Sequence, residues 1–279
     1  MCYLLQYTYY CTMNAQSIVT LTFGDQAENH AGMEKLGMLV AEGQGFNLED
    51  LNNIKIKMEE MGSNCELVKL ELFDEVDNNR VITTEDAYIL IIRDGVNKLL
   101  ENCSDLTQEK MLEEHIGLDV DKYAWMRGRV VNKHARWNLC FDNESREPDY
   151  ENKKGRIVGY DEIPVTKMLL DQIVNYFGPK AANLKGEGNY YYDKSKCGIG
   201  FHGDSERRKV VGVRLGHGES TPLHYQWFKN GEAVGKRIVL QLNGGDIYVM
   251  NEKAVGTDWK KRIIYTLRHA TGCEKYTKI

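Results

Sequence analysis

The sequence predicts an α+β protein whose second half forms a β-sandwich or an open barrel. From about residue 188 onward, short apolar runs alternate with turns that contain glycine or asparagine, as in sheets built from successive short strands. The first 120 residues mix strand-like and helix-like runs, which indicates an N-terminal α/β extension. With 279 residues and 42% hydrophobic composition, the chain can bury a substantial core.

The apolar spacing places the individual elements. Residues 17–23 and 87–96 are typical of strands, and residues 32–43 and 48–62 have helical spacing that ends at glycine. A charged connection is expected at 142–156, followed by a helix over 165–178. The strands predicted in the second half are NYYYD, KVVGVRLG, PLHYQWF, KRIVLQL, DIYVM and RIIYTLRH.

We therefore divide the chain into residues 1–120, whose role is unknown, and residues 121–279, with a barrel core at about 186–279. No stretch approaches the 18 or more apolar residues of a membrane span, and the segment MCYLLQYTYYCTM lacks the pattern of a secretory signal. We expect an intracellular protein, cytoplasmic or nuclear, with no membrane partner. Its seven scattered cysteines indicate neither a disulfide framework nor a structural zinc site.

Charge is distributed unevenly along the chain. The net charge of -5 argues against a protein that coats nucleic acid indiscriminately. However, residues 101–121 carry seven acids and one lysine, whereas residues 122–140 carry five Lys or Arg and no acid. A local basic patch is therefore expected after residue 121.

The segment GIGFHGDSE (198–206) carries the most informative motif. His202 and Asp204 are two residues apart, and on an extended strand such side chains project from one face. An imidazole and a carboxylate on one face supply two thirds of the 2-His-1-carboxylate triad that binds Fe(II). Such a triplet also arises by chance, so its surroundings have to support the hypothesis.

Those surroundings resemble the AlkB-like branch of the Fe(II)/2-oxoglutarate-dependent oxygenases. In NYYYDKSKCGIGFHGDSE, Asn189 and Tyr191 match the family's Asn-x-Tyr strand, which precedes a Gly-x-His-x-Asp-x-Glu segment. VVGVRLG, GGDIYVMNEKAVGTDW and RIIYTLR follow in the family's order, so the resemblance covers about 80 residues. It implies a double-stranded β-helix (jelly-roll or cupin-like) core with flanking helices.

The same resemblance implies a dioxygenase that uses Fe(II), 2-oxoglutarate and molecular oxygen. Such an enzyme hydroxylates or oxidatively demethylates its substrate, and the expected substrate here is a nucleic-acid base. A protein or small-molecule hydroxylase and a catalytically inactive β-helix binding module are the alternatives. A cupin-like protein that binds another divalent metal without oxidation is a third, weaker alternative.

The match to the family breaks at the third metal ligand. Where the family has a histidine after its Asp-Trp turn, this chain has Lys260 and Lys261. We expect His269 to serve, because its distance from His202 suits two strands on opposite sides of a β-helix, and His224 is the second choice. A separate group near the N-terminus, formed by Asp25, Glu28 and His30, could bind metal but is expected to cap a helix.

A cation must also neutralise the distal carboxylate of 2-oxoglutarate. Arg268 matches the arginines of the family's last strand, but if His269 is a ligand then its neighbour Arg268 points to the opposite face. Arg214 is the other candidate, with Lys275 and Lys278 as weaker ones. Asn189 and Tyr191 would donate hydrogen bonds to the co-substrate.

The basic segment 122–141 is the candidate substrate lid, since cations and aromatic rings interleave there. A base of a nucleic acid would be extruded into the pocket beneath such a lid. The alternative is a strand with exposed charges over a packed aromatic face. The residues predicted to bind substrate are Arg127, Arg129, Lys133, Arg136 and Trp137.

Overall fold

Two β-sheets make up most of the structure, a computed structural model that describes residues 17–72, 85–103, 105–218 and 220–279. The architecture is α+β, mostly sheet with few helices, as predicted. The N-terminal segment that bears on secretion, together with Cys2 and Cys11, lies outside the described residues. Within these ranges no helix is both long enough and apolar enough to cross a membrane.

Sixteen strands and six helices follow one another along the described ranges. The strands are β1 (Ile18–Gly24), β2 (Gln26–Glu28), β3 (Lys35–Gly37), β4 (Cys65–Lys69), β5 (Tyr88–Ile92), β6 (Tyr123–Met126), β7 (Arg129–Asn132), β8 (Trp137–Asp142), β9 (Ile157–Gly159), β10 (Lys185–Tyr191), β11 (Gly198–His202), β12 (Val210–Leu215), β13 (Leu223–Lys229), β14 (Glu232–Leu240), β15 (Ile247–Met250) and β16 (Thr266–Gly272). The helices are α1 (Leu48–Glu60), α2 (Gly95–Leu100), α3 (Gln108–Ile116), α4 (Pro164–Phe177), α5 (Glu252–Val255) and α6 (Glu274–Thr277).

The larger sheet has eight strands in the order β4-β5-β15-β12-β1-β10-β8-β9, and the smaller has four in the order β11-β16-β13-β14. All pairs are antiparallel except β8 with β9. Strand β1 lies between β12 and β10 although it is the first strand of the described residues. Strands from both sides of the predicted division at residue 120 therefore share one sheet.

Strand β1 is buried along its whole length and faces two different environments. On one face Val19, Leu21 and Phe23 join the core that the large sheet shares with helices α1, α2 and α4. Alternate residues of a strand point to opposite faces, so Thr20 and Thr22 face the small sheet. There a second core forms between the two sheets around Trp227 and other residues of β13.

The helix predicted at 48–62 is confirmed, but the one predicted at 32–43 is wrong. Asn47 and Asp50 form a reciprocal capping box at the start of α1, which satisfies backbone groups that a helix start leaves free. Residues 32–43 instead contain the turn of a small β2–β3 hairpin. Gly32, Gly37 and Gly43 have φ values of 90°, 80° and 83°, which a right-handed helix cannot contain.

Candidate metal centre

Two neighbouring strands of the small sheet bring the predicted metal ligands together. Strand β11 pairs with β16, and His202 lies directly opposite His269. Asp204 follows β11 by two residues, and its Oδ1 lies 3.4 Å from Nε2 of His202 and 3.6 Å from Nε2 of His269. One ligand atom from each residue lies within 4.8 Å of the others, so a single ion can contact all three.

Both imidazoles present a nitrogen suited to metal binding. Nδ1 of His202 lies 2.8 Å from the carbonyl oxygen of Gly200. Because that oxygen can only accept, Nδ1 carries the proton and Nε2 keeps its lone pair. His269 is buried, and burial together with the neighbouring His202 lowers its pKa, so its ring is neutral at pH 7.

The carboxylate between them is held in its charged form. Burial would raise the pKa of Asp204, but the positive charge of Arg207 and the neighbouring histidines hold it well below its usual value. Nε of Arg207 lies 3.6 Å from Oδ2 of Asp204. Two neutral imidazoles and one anion are the donor set that a divalent first-row metal prefers.

The structure also corrects the reason for choosing His269. Strands β11 and β16 are neighbours in one sheet, not strands on opposite sides of a barrel. His224 lies on β13 opposite Ala270, whereas Tyr225 lies opposite His269. His224 therefore points away from the cluster.

A cavity of about 540 Å³ opens beside the cluster, between the two sheets. Its apolar lining includes Val210, Met250 and Leu223. The N-terminal region contributes Thr20 and Thr22 from β1 and the turn at 28–33 after β2. Residues of both halves of the chain thus form its wall.

Arg214 is a buried cation of this cavity that, unlike the buried Arg207, has no carboxylate partner among the described residues. It is 1% exposed, and its Nη1 and Nη2 lie 3.4 and 3.3 Å from the hydroxyls of Thr221 and Thr271. Its Nε forms no hydrogen bond with any of the described residues. Burying an unpaired charge is costly, so the position suits an anionic ligand.

Arg268 lies elsewhere. Its guanidinium stacks over the rings of Phe228 and Trp259, and it is not part of the cavity wall. Strand β16 places His269 toward the cavity and Arg268 away from it, as the alternation of side chains requires. Lys275 and Lys278 are likewise absent from the lining.

Asn189 and Tyr191 both line the cavity. The amide oxygen of Asn189 accepts from Arg136 at 2.5 Å and from Asn138 at 2.9 Å, and its amide nitrogen donates to Glu187 at 3.1 Å. Tyr191 is buried. The two residues occupy alternate positions of β10 and so share the inner face.

The residues of the segment predicted as a substrate lid lie in three environments: the cavity wall, packed positions beside it, and an exposed hairpin. Arg136 lines the cavity. Lys133 is buried and donates to the side chain of Asn29 at 2.6 Å, and Trp137 stacks on Tyr192 at a ring distance of 4.2 Å. The exposed hairpin β6–β7 carries Arg127 in its turn and Arg129 on its second strand; neither residue lines the cavity.

The wall beside Asp204 carries several carboxylates that sequence reasoning missed. Arg207 donates to Glu187 at 2.6 Å and to Glu206 at 3.2 Å, and it is 2% exposed. Burial and the nearby Glu206 raise the pKa of Glu28, and no Lys or Arg nitrogen of the described residues lies within 4.0 Å of its carboxylate. One side of the cavity is therefore acidic.

The group near the N-terminus, Asp25, Glu28 and His30, does not have metal-binding geometry. Among the described residues, only His202, Asp204 and His269 form a group with such geometry. Asp25 does not cap a helix, but accepts from the backbone of Arg208, Lys209 and Val40. The alternation of threonine with apolar residues in IVTLTFG was the signal that could have marked β1 as a cavity strand.

No protein-family model matches the chain. It is 47% identical over 262 residues to "Uncharacterized protein R156" of Acanthamoeba polyphaga mimivirus. The match covers 93% of this chain and 97% of the viral protein.

Proposed function

The chain belongs to the same family as the mimivirus protein R156, and from its own site we propose that it is an Fe(II)- and 2-oxoglutarate-dependent oxygenase. The observation that carries the proposal is one cavity that contains both a His-Asp-His cluster and a buried, unpaired arginine. His202, Asp204 and His269 would hold the metal, and Arg214 would pair with the distal carboxylate of the co-substrate.

The strand order supports a double-stranded β-helix as the core. Four strands of the large sheet, β10, β1, β12 and β15, face the four strands β11, β16, β13 and β14. From β10 to β16 the chain passes between these two sets, with one hairpin, β13–β14, within the small sheet. Strand β1 occupies the eighth position, between β10 and β12.

The chain's own residues have distinct parts in the proposed reaction. When bound, Fe(II) and 2-oxoglutarate would supply the activation of dioxygen and the oxidation of a substrate C–H bond. His202, Asp204 and His269 would hold the ion, each through one donor atom. Arg207 keeps Asp204 charged, and the cavity wall also offers a substrate the apolar side chains of Val210, Leu223 and Met250.

A nucleic-acid base remains a proposed substrate, supported by Arg136 in the cavity wall and by the exposed Arg127 and Arg129. The acidic wall favours the second candidate, hydroxylation of a protein side chain or a small molecule. Glu28, which has no Lys or Arg nitrogen of the described residues within 4.0 Å, would repel a phosphate and attract a positive charge. Matched oligonucleotides, peptides and amines in one turnover screen would separate the two classes.

The proposal is tested by anaerobic addition of Fe(II) and 2-oxoglutarate to the purified protein. We expect the weak visible charge-transfer band of the ternary complex, and succinate formation after oxygen is admitted. His269→Ala should lose both signals. His224→Ala is the matched control and should keep them, because that ring faces away from the cluster.

The binding-module alternative makes the opposite prediction. If the wild-type protein gives no band and no succinate at any metal loading, the oxygenase proposal fails. Binding of a divalent ion without binding of 2-oxoglutarate would then favour the non-oxidative alternative.

A further inference from the structure

Strand β1, the first strand of the described residues, crosses the wall that we assign to the co-substrate. In the large sheet, Thr20 of β1 lies directly opposite Asn189 of β10 and directly opposite Arg214 of β12. Directly paired residues of adjacent antiparallel strands point to the same face. Thr20 therefore lies in one transverse row between Asn189 and Arg214, and all three line the cavity.

The hydroxyl of Thr20 is buried without a partner in the described part of the chain. The residue is 5% exposed, and its Oγ1 forms no hydrogen bond with any of the described residues. A buried hydroxyl that forms no hydrogen bond is costly to the folded protein. A hydroxyl of this kind that lines a cavity indicates that a bound ligand forms the missing hydrogen bond.

The neighbours of Thr20 define the chemistry of that ligand. The Nε of Arg214 forms no hydrogen bond with any described residue. The amide oxygen of Asn189, in contrast, already accepts hydrogen bonds from Arg136 and Asn138. This part of the cavity thus presents unused donors and a positive charge. A carboxylate oxygen, which only accepts, satisfies both unused groups.

We propose that Thr20 is a co-substrate-binding residue, which donates a hydrogen bond to a carboxylate oxygen of 2-oxoglutarate beside Arg214. The N-terminal strand is then part of the binding site and not only a cover of the sheet. This inference rests on the proposed function, because it takes 2-oxoglutarate as the anion.

The test measures binding and stability separately. The full chain is loaded with Mn(II), which is stable in air, and the dissociation constant of 2-oxoglutarate is measured by calorimetry. Thr20→Val keeps the shape of the side chain but removes the donor, so we expect binding to weaken about tenfold. Thermal unfolding without ligand should be unchanged or shifted upward, because the orphaned hydroxyl is gone.

Two further variants control for a structural effect. Thr20→Ser retains the hydroxyl and should bind within about twofold of wild type. Thr266→Val removes the hydroxyl of a buried threonine of β16 that does not line the cavity, and it should leave the affinity for 2-oxoglutarate unchanged.

The outcomes are distinguishable. If the wild-type protein binds 2-oxoglutarate and Thr20→Val binds it equally well, the inference is overturned while the proposed function stands. The inference is also overturned if Thr20→Val unfolds at lower temperature and Thr20→Ser does not restore binding. Wild-type protein that binds Mn(II) but not 2-oxoglutarate would overturn both.

Discussion

Replacement of Arg214 by methionine tests the assignment of the co-substrate end of the cavity. The guanidinium is 1% exposed, and no Asp or Glu oxygen of the described residues lies within 4.0 Å of it. Two threonine hydroxyls lie 3.4 and 3.3 Å from its terminal nitrogens. Methionine fills a similar volume without the charge, so the change removes the cation and little else.

The change should weaken the binding of 2-oxoglutarate but should not destabilise the ligand-free protein. Hydrogen bonds to a charged group contribute about 1.5–3 kcal/mol each. Loss of the pair between Arg214 and the distal carboxylate should therefore cost about 3 kcal/mol, which corresponds to roughly 100-fold weaker binding of 2-oxoglutarate. Without ligand, the free energy of unfolding should stay the same or rise, because a buried charge without a counter-charge is removed.

Calorimetric titration of the Mn(II)-loaded protein and urea denaturation of the ligand-free protein measure these two quantities. Arg268→Met is the matched control, because Arg268 does not line the cavity and its guanidinium stacks on Phe228 and Trp259. We expect it to bind 2-oxoglutarate within about twofold of wild type. If Arg268→Met weakens binding and Arg214→Met does not, the assignment to Arg214 is refuted.

Three further changes probe the metal centre, the buried histidine and the cavity wall. His269→Ala should abolish binding of one Mn(II) per chain, measured by electron paramagnetic resonance, whereas His224→Ala should retain it. Burial lowers the pKa of His115 to about 3, so below pH 6.5 the unfolded chain takes up a proton that the folded protein does not. Stability should fall by about 1 kcal/mol between pH 6 and pH 5, and urea denaturation of His115→Gln should show a smaller decrease. At Gly212, an added Cβ would lie 2.0 Å from the ring of Tyr248; Gly212→Ala should lower the free energy of unfolding by about 1–3 kcal/mol, and an unchanged melting temperature would contradict the contact.

The conflict between His269 and Arg268 illustrates why the site needed the structure. The sequence pattern favours β16 as the last strand of the barrel and offers both a metal ligand and a cation on it. The strand can present one of two adjacent side chains to the cavity, and it presents His269. The cation comes from β12, and the position between β12 and β10 is taken by a strand from the other end of the chain.

The sequence by itself determined the local features of this protein. Short apolar runs between turns that contain glycine or asparagine located strands of the second half, and the His-x-Asp spacing indicated two donors on one face. Both signals depend on residues near each other in the chain. Helix α1 was likewise marked by its own spacing and by the glycine that follows it. The helix predicted at 32–43 is wrong because three glycines adopt a left-handed backbone conformation there.

Only the tertiary structure decided what depends on strands distant in sequence. The register of β1 against β10 and β12 places Thr20 beside Arg214, and the pairing of β11 with β16 sets His202 opposite His269. No local pattern encodes these neighbours, since antiparallel pairing between remote segments is selected by the burial of whole faces. The division of the basic segment between cavity, core and exposed hairpin follows from the same packing.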